Sequence, residues 1–262
     1  MSANESSSDA MPLRIAFDLD GVLADMESEL VRQAEILFGA PMTRRLRERA
    51  AEDAATNAPA DMTRPSETTV DAAADSVPAL LQLNMTSRQQ RQLWRHVEAV
   101  DSFWEHLQEI EPGAVKRLAA VASDRRWEVI FLTKRPETAG ATSQMQTQRW
   151  LELHGFVLPS VYVVQGSRGR IAAALGLDIV IDDRPENCLD VVVDSKARAI
   201  LVWREDEKYL PPATKRLGIG VVTSVAECLD ILTQVDSSAA RDRSGVMNRL
   251  MRLLGLKEPT AV

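Results

Sequence analysis

The sequence predicts an α/β protein: a doubly wound parallel sheet flanked by helices, with a small helical cap inserted after the first strand. Three observations carry this reading. Short apolar runs alternate with longer stretches of helical periodicity, the pattern of βαβ units with right-handed crossovers. Three of those runs end in polar residues, at Asp18-Leu19-Asp20-Gly21, Thr133-Lys134-Arg135 and Asp182-Asp183. A segment without aromatic residues, between Phe38 and Trp94, separates the first run from the others.

Taken in order, residues 1–12 are polar and acidic and are expected to be a disordered leader. Leu13–Phe17 (LRIAF) is a buried strand leading into a tight turn at DLDG. Met26, Leu30, Ala34 and Leu37 recur at helical spacing, and Gly39 and Pro41 end that helix. Residues 41–80 are rich in Ala, Asp, Glu, Thr and Pro and offer little apolar surface to offset ordering entropy. They read as a partly disordered segment, with a helix expected around the Arg44–Arg49 cluster. Thr86 or Ser87 caps a helix carrying Leu93, Val97 and Val100; Asp101-Ser102 breaks it, and Pro112 opens the next. Strands then follow at Trp127–Leu132, Ser160–Val164, Asp178–Ile181, Ala199–Trp203 and Gly220–Val222. The helices between them end near His154, at Leu175 and at Val192, and a last one spans Ser224–Leu232. Residues 235–262 read as a linker and an amphipathic helix whose apolar positions, Val246 to Leu254, offer a surface for a protein partner or for self-association.

Composition narrows the function classes. With 262 residues and 45% hydrophobic content, the chain can bury a core and carry an insertion. A net charge of −7 disfavours general nucleic-acid or anionic-membrane binding, and still allows a local positive pocket for a small phosphorylated substrate. No apolar run reaches the length of a membrane span, and the amino terminus lacks a secretory pattern, so the expected location is the cytoplasm. Cys188 and Cys228 are too few for a disulfide framework or a zinc cage, and His96, His106 and His154 lack metal-ligand spacing.

The polar strand ends carry the chemistry. Ligands of parallel sheets bind beyond the carboxyl ends of the strands, near a switch in strand order. A carboxylate attacks a phosphate ester well only when cations neutralise the phosphoryl oxygens. Magnesium favours one or two carboxylates plus water and phosphate. Asp18 and Asp182 on neighbouring strands would share such an ion. Asp20 can swing at Gly21 towards the leaving group as general acid and later base. Thr133 offers a hydroxyl and backbone donors to phosphoryl oxygens.

IAFDLDGVLAD (Ile15–Asp25), FLTKRP (Phe131–Pro136) and LGLDIVIDDRPENC (Leu175–Cys188) resemble motifs one, two and four of the haloacid dehalogenase superfamily of phosphatases. The motifs span residues 13–203. The resemblance implies a Rossmann-like core, formed by residues 13–25 and 111–234, and a cap at 26–110. It implies Mg2+ as cofactor, Asp18 as nucleophile, Asp20 as acid/base, Thr133 as phosphate ligand, and Asp182 and Asp183 as metal-site carboxylates, with a metal contact from Asp20 as well. DGVLAD, FWEHLQEIEPGAVKRL (Phe103–Leu118) and RWLELHGF (Arg149–Phe156) resemble the 5'(3')-deoxyribonucleotidase-like branch, which would make nucleoside monophosphates the substrate and bring Phe103 and Trp104 over the site from the cap. The alternative for both aromatics is core packing. In place of the superfamily's third-motif lysine, the spacing before LGLD puts Arg168, with Arg170 two residues on; otherwise Lys134 supplies the cation. The competing functions are a phosphatase of nucleic-acid 3' ends or sugar phosphates, and a non-catalytic regulatory protein on the same fold.

Overall fold

The computed structural model describes residues 12–40, 44, 85–236 and 254. Its centre is a six-stranded parallel sheet, formed by β1 (Arg14–Asp18), β2 (Glu128–Thr133), β3 (Ser160–Val163), β4 (Ile179–Asp182), β5 (Arg198–Val202) and β6 (Gly220–Val222), in the order β3-β2-β1-β4-β5-β6. This is the Rossmann-like, doubly wound order, and its switch point falls between β1 and β4. The strands are nearly all apolar because both faces are covered. Ile15, Phe17, Phe131, Ile179, Ile181 and Ile200 belong to one core cluster. Ala16, Ile130, Leu132, Val180, Ala199 and Leu201 belong to the other. Successive strand residues therefore alternate between the two faces, as the pleat requires.

The helices α1 (Met26–Phe38), α2 (Ser87–Glu98), α3 (Ala114–Arg125), α4 (Ser143–Leu153), α5 (Arg168–Leu175), α6 (Pro185–Asp194), α7 (Pro212–Arg216) and α8 (Val225–Asp236) surround the sheet. Local chemistry starts several of them. Asp25 caps α1 by accepting from the Ser28 amide, and Thr86 forms a capping box with Gln89 at α2. Pro185 and Pro212 sit in the first turns of α6 and α7. α5 and α6 cover the second core cluster through Ala172, Cys188 and Val191; both cysteines are free and buried.

The insertion leaves and re-enters through a two-stranded neck. The Asp25 amide donates to the Gln108 carbonyl at 2.8 Å and the Ile110 amide to the Leu23 carbonyl at 2.9 Å. Leu30 and Ala34 of α1 and Leu93 and Val97 of α2 join the same apolar cluster as β1, so this helical pair is cored on the sheet domain and not separately. Between α2 and α3 lies a 3₁₀ turn at Phe103–Glu105, entered through Ser102 at a positive φ of 52°. Two short elements between β5 and β6, the 3₁₀ turn Glu207–Tyr209 and α7, have no counterpart in the sequence reading. The expected segment 41–80 and the C-terminal helix lie outside the described residues, except Arg44 and Leu254. Leu254 packs partly buried against the first core cluster, its side chain close to Gly220. Among the described residues no helix is long and apolar enough to cross a membrane.

Candidate active site

Register assembles the site. β1 pairs with β4 as Phe17↔Ile181, which brings the next residues, Asp18 and Asp182, side by side at the carboxyl ends of the two central strands. Thr133 ends β2 on the other side of β1. Asp18, Thr133 and Asp182 are all buried. Sequence positions more than a hundred residues apart are thus brought to the switch point of the sheet.

Arg168, at the start of α5, bridges the two aspartates. Its Nη2 donates to Asp18 Oδ1, and its Nε lies 3.6 Å from Asp182 Oδ2. The third-motif position inferred from spacing is therefore where the cation sits. Its Nε and Nη1 are buried and without a hydrogen-bond partner among the described residues, so two donors remain for an oxyanion at this point. Arg170 points outward, 85% exposed at its side chain, towards Asp194. Lys134 is half-buried and makes no ion pair with a described carboxylate. As the counter-charge to Asp18, Lys134 is replaced by Arg168.

Asp182 is held in turn. Its Oδ1 accepts from the Arg184 amide at 2.9 Å, and Asn187 Nδ2 donates to both its oxygens at 3.0 and 3.1 Å. Asn187 was not singled out in the sequence; its signal is the placement of an amide in the first turn of the helix that follows the Asp182 strand end. Asp183 lies against the motif-one turn. A Cβ on Gly21, whose φ is +88°, would run into the Asp183 carboxyl, so a side chain there is strained and must push that carboxyl aside. The carbonyls of Gly21 and Val22 accept from Arg204 at 2.6 and 3.2 Å, and Arg204 is paired with Glu111 at 2.7 Å. Glu111 also accepts from the Val225 and Ala226 amides at the start of α8, tying the turn to the far side of the sheet.

Asp20 is fixed by a group that the sequence reading passed over. Arg135 forks onto it, Nε donating at 2.9 Å to Oδ2 and Nη2 at 2.7 Å to Oδ1, while Thr133 Oγ1 donates at 3.2 Å. Arg135 is 2% exposed. A buried bidentate pair is among the stronger polar contacts available to a carboxylate.

Phe103 and Trp104, expected to overhang the site and stack on a base, do neither. They are 1% and 0% exposed and pack edge to face with centroids 4.8 Å apart. Trp104 donates its indole N–H to the Pro136 carbonyl at 3.0 Å and lies with its ring 4.8 Å from the Arg135 guanidinium carbon. The physical reason is the neck: it returns the chain against α4, and the large apolar rings close that seam instead of facing solvent.

The electrostatics follow from crowding. Burial first, then the charge of Asp182, raises the Asp18 carboxyl well above its usual range, while Arg168 pulls it down. Asp182 is raised by burial against the opposing pull of Arg168 and Asn187. Burial and the neighbouring Asp182 push Asp183 up to about 8. These are hard oxygen donors with an excess of negative charge, the donor set a magnesium ion accepts. Among the described residues no three such side chains converge as a finished cage. Magnesium commonly takes only one or two protein carboxylates, and Asp18 and Asp182, with Asp183 beside them, are carboxylates of that kind.

No family model matches the chain, and no curated protein matches it. Solved structures give likenesses at low identity. A hydrolase from Pseudomonas syringae aligns at 20% identity and TM-score 0.46, covering 87% of this chain and 99% of its own. A haloacid dehalogenase-like family hydrolase from Xanthomonas campestris aligns at 14% and 0.45, covering 88% and 94%. L-2-haloacid dehalogenase from Xanthobacter autotrophicus aligns at 12% and 0.43, covering 85% and 99%. At such scores the chemistry of the site rests on its own residues.

Proposed function

We propose that the chain is a magnesium-dependent phosphomonoester hydrolase that works through an aspartyl-phosphate on Asp18. The observation that supports this best is the grouping of Asp18, Asp182 and Arg168, whose buried Nη1 has no hydrogen-bond partner among the described residues, one turn away from a firmly held Asp20. Asp18 Oδ attacks phosphorus and the ester P–O bond breaks. The departing oxygen takes a proton from Asp20. Asp20 then accepts a proton from water as that water attacks the phosphorus, which releases phosphate and restores Asp18. Arg168 and Thr133 orient the phosphoryl oxygens. A magnesium ion bound by Asp18, Asp182 and the Asp20 backbone carbonyl, with Asp183 alongside, would neutralise those oxygens.

The held Asp20 favours an ester over a carbon–halogen substrate, because an alkoxide leaves with a proton and a halide leaves without one. Within phosphate monoesters, burial of Phe103 and Trp104 removes the base-stacking support for a nucleoside monophosphate. Nucleoside monophosphates, sugar phosphates and nucleic-acid 3' phosphates all present the group this site handles. The test is phosphate release from an aryl phosphate, then from a panel of these three classes, with and without magnesium. Magnesium-dependent release that disappears in a folded Asp18→Asn protein is the expected result. Full activity in excess chelator, or in Asp18→Asn, would refute it.

A further inference from the structure

We infer that Arg135 is a positioning residue for the Asp20 carboxyl, acting on proton transfer to the leaving group and not on phosphate binding. The inference rests on the phosphatase reading above. Its basis is how completely the guanidinium is held. One edge grips Asp20 through Nε, at 3.1 and 2.9 Å, and Nη2, at 2.7 Å. On the other edge Nη1 donates to Thr147 Oγ1 at 2.9 Å, and that hydroxyl donates onward to the Ser143 carbonyl at 2.7 Å, inside α4. The face is covered by Trp104, which is pinned by its indole bond to Pro136 and by its amide, which donates to Gln146 Oε1 at 3.1 Å. A helix, the returning limb of the insertion and the strand-end loop therefore fix one side chain.

The two buried arginines of the site are set up for different work. Arg168 touches the nucleophile, and among the described residues its buried Nε and Nη1 have no hydrogen-bond partner, Nε lying 3.6 Å from Asp182. Arg135 has its Nε and both terminal nitrogens engaged, and its side chain is 0% exposed, so no face is presented to a phosphoryl group. What it does control is Asp20, whose two oxygens receive Arg135 and Thr133 and so have little rotational freedom. General acid–base catalysis depends on the catalytic atom lying within hydrogen-bond reach of the leaving oxygen. A lysine would keep the charge and lose the fork.

The experiment measures single-turnover formation of phosphoenzyme in the full-length, magnesium-supplied protein, with two esters: an activated aryl phosphate, whose leaving group needs no proton, and an unactivated alkyl phosphate, whose leaving group does. Arg135→Gln should slow the alkyl ester roughly 10- to 100-fold and the aryl ester less than about threefold, with KM nearly unchanged; Arg135→Lys should fall between. Thr147→Val, which removes one anchor and leaves the arginine, should show the same bias at smaller size, and it decides the matter if Arg135→Gln does not fold. In an Asp20→Asn background the Arg135 substitution should add nothing further. Equal losses on both esters, an effect confined to KM, or undiminished losses in the Asp20→Asn background would overturn the inference while leaving an Asp18-dependent phosphoenzyme in the wild type. If the wild type forms no such phosphoenzyme from either ester, the phosphatase reading itself fails and the inference falls with it.

Discussion

Asp18 is asked to be buried and to attack as an anion, and Arg168 is the protein's own answer to that conflict. Asp18→Asn keeps the shape and removes the nucleophile, so turnover should vanish while the melting temperature holds or rises, since one of several mutually repelling carboxyls is gone. Arg168→Ala should be severe in two ways. Turnover collapses, and stability drops by about 3–5 kcal/mol, the usual cost of leaving buried charge without its partner. Arg168→Lys should restore part of both, and Lys134→Ala should change turnover by less than about threefold, because the half-buried Lys134 makes no ion pair with a described carboxylate. Steady-state kinetics beside urea melts would check all four; a silent Arg168→Ala with a dead Lys134→Ala would reverse the assignment. Arg168 was legible because its distance from LGLD and the acidic pair is short and local. Arg135 was not, because its partner Asp20 is 115 residues away and no pattern in one sequence marks such a pair. Phe103 and Trp104 misled for a related reason: aromatics next to a loop look the same whether they cover a ligand or close a core.

At the scale of elements, apolar runs placed the strands to within a residue or two, since a strand buried on both faces has few polar positions to blur it. The 3₁₀ turn at Glu207–Tyr209 and the short α7 were missed because neither is long enough to show a period. Strand order was out of reach as well. It is set by which helices cover which face; the sequence placed Asp18 and Asp182 on neighbouring strands, and the order of the remaining strands came only with the structure. The turn after β1 carries a sharp prediction. Gly21→Ala combines a positive φ with a collision against Asp183, and should cost roughly 1–3 kcal/mol while lowering turnover by displacing that carboxyl. A stable, fully active Gly21→Ala would mean the turn is free to adapt. Trp104→Ala should cost about 3–5 kcal/mol, as large aromatic truncations in cores do, and should depress hydrolysis of base-bearing and base-free phosphates alike. A loss confined to nucleotides would instead return the aromatic pair to substrate binding.

The whole molecule should record the crowded carboxyls in its stability. Burial raises Asp18 and Asp182, and with the charge of Asp182 it lifts Asp183 from an ordinary 3.8 to about 8. Well below the ordinary value of 3.8 these groups are protonated in the folded and the unfolded chain alike, and burial carries no charge penalty. As pH rises the unfolded chain releases its protons first, while the folded chain retains them. Folded protein binding more protons than unfolded protein means stability falls with pH, and for Asp183 the fall continues up to about pH 8 and then levels. A divalent cation needs the charged forms, so its binding must expel those same protons and should strengthen over the same interval. The metal-free protein should therefore melt progressively lower between pH 5 and pH 8, and magnesium should raise the melting temperature more at pH 8 than at pH 5. Calorimetry in buffers of differing ionisation enthalpy would register the released protons directly. A metal-free melting temperature that climbs across that range would show that the carboxyls are ionised without help and that Arg168 and Arg135 already balance them. Magnesium stabilisation independent of pH would place the ion elsewhere than on these aspartates.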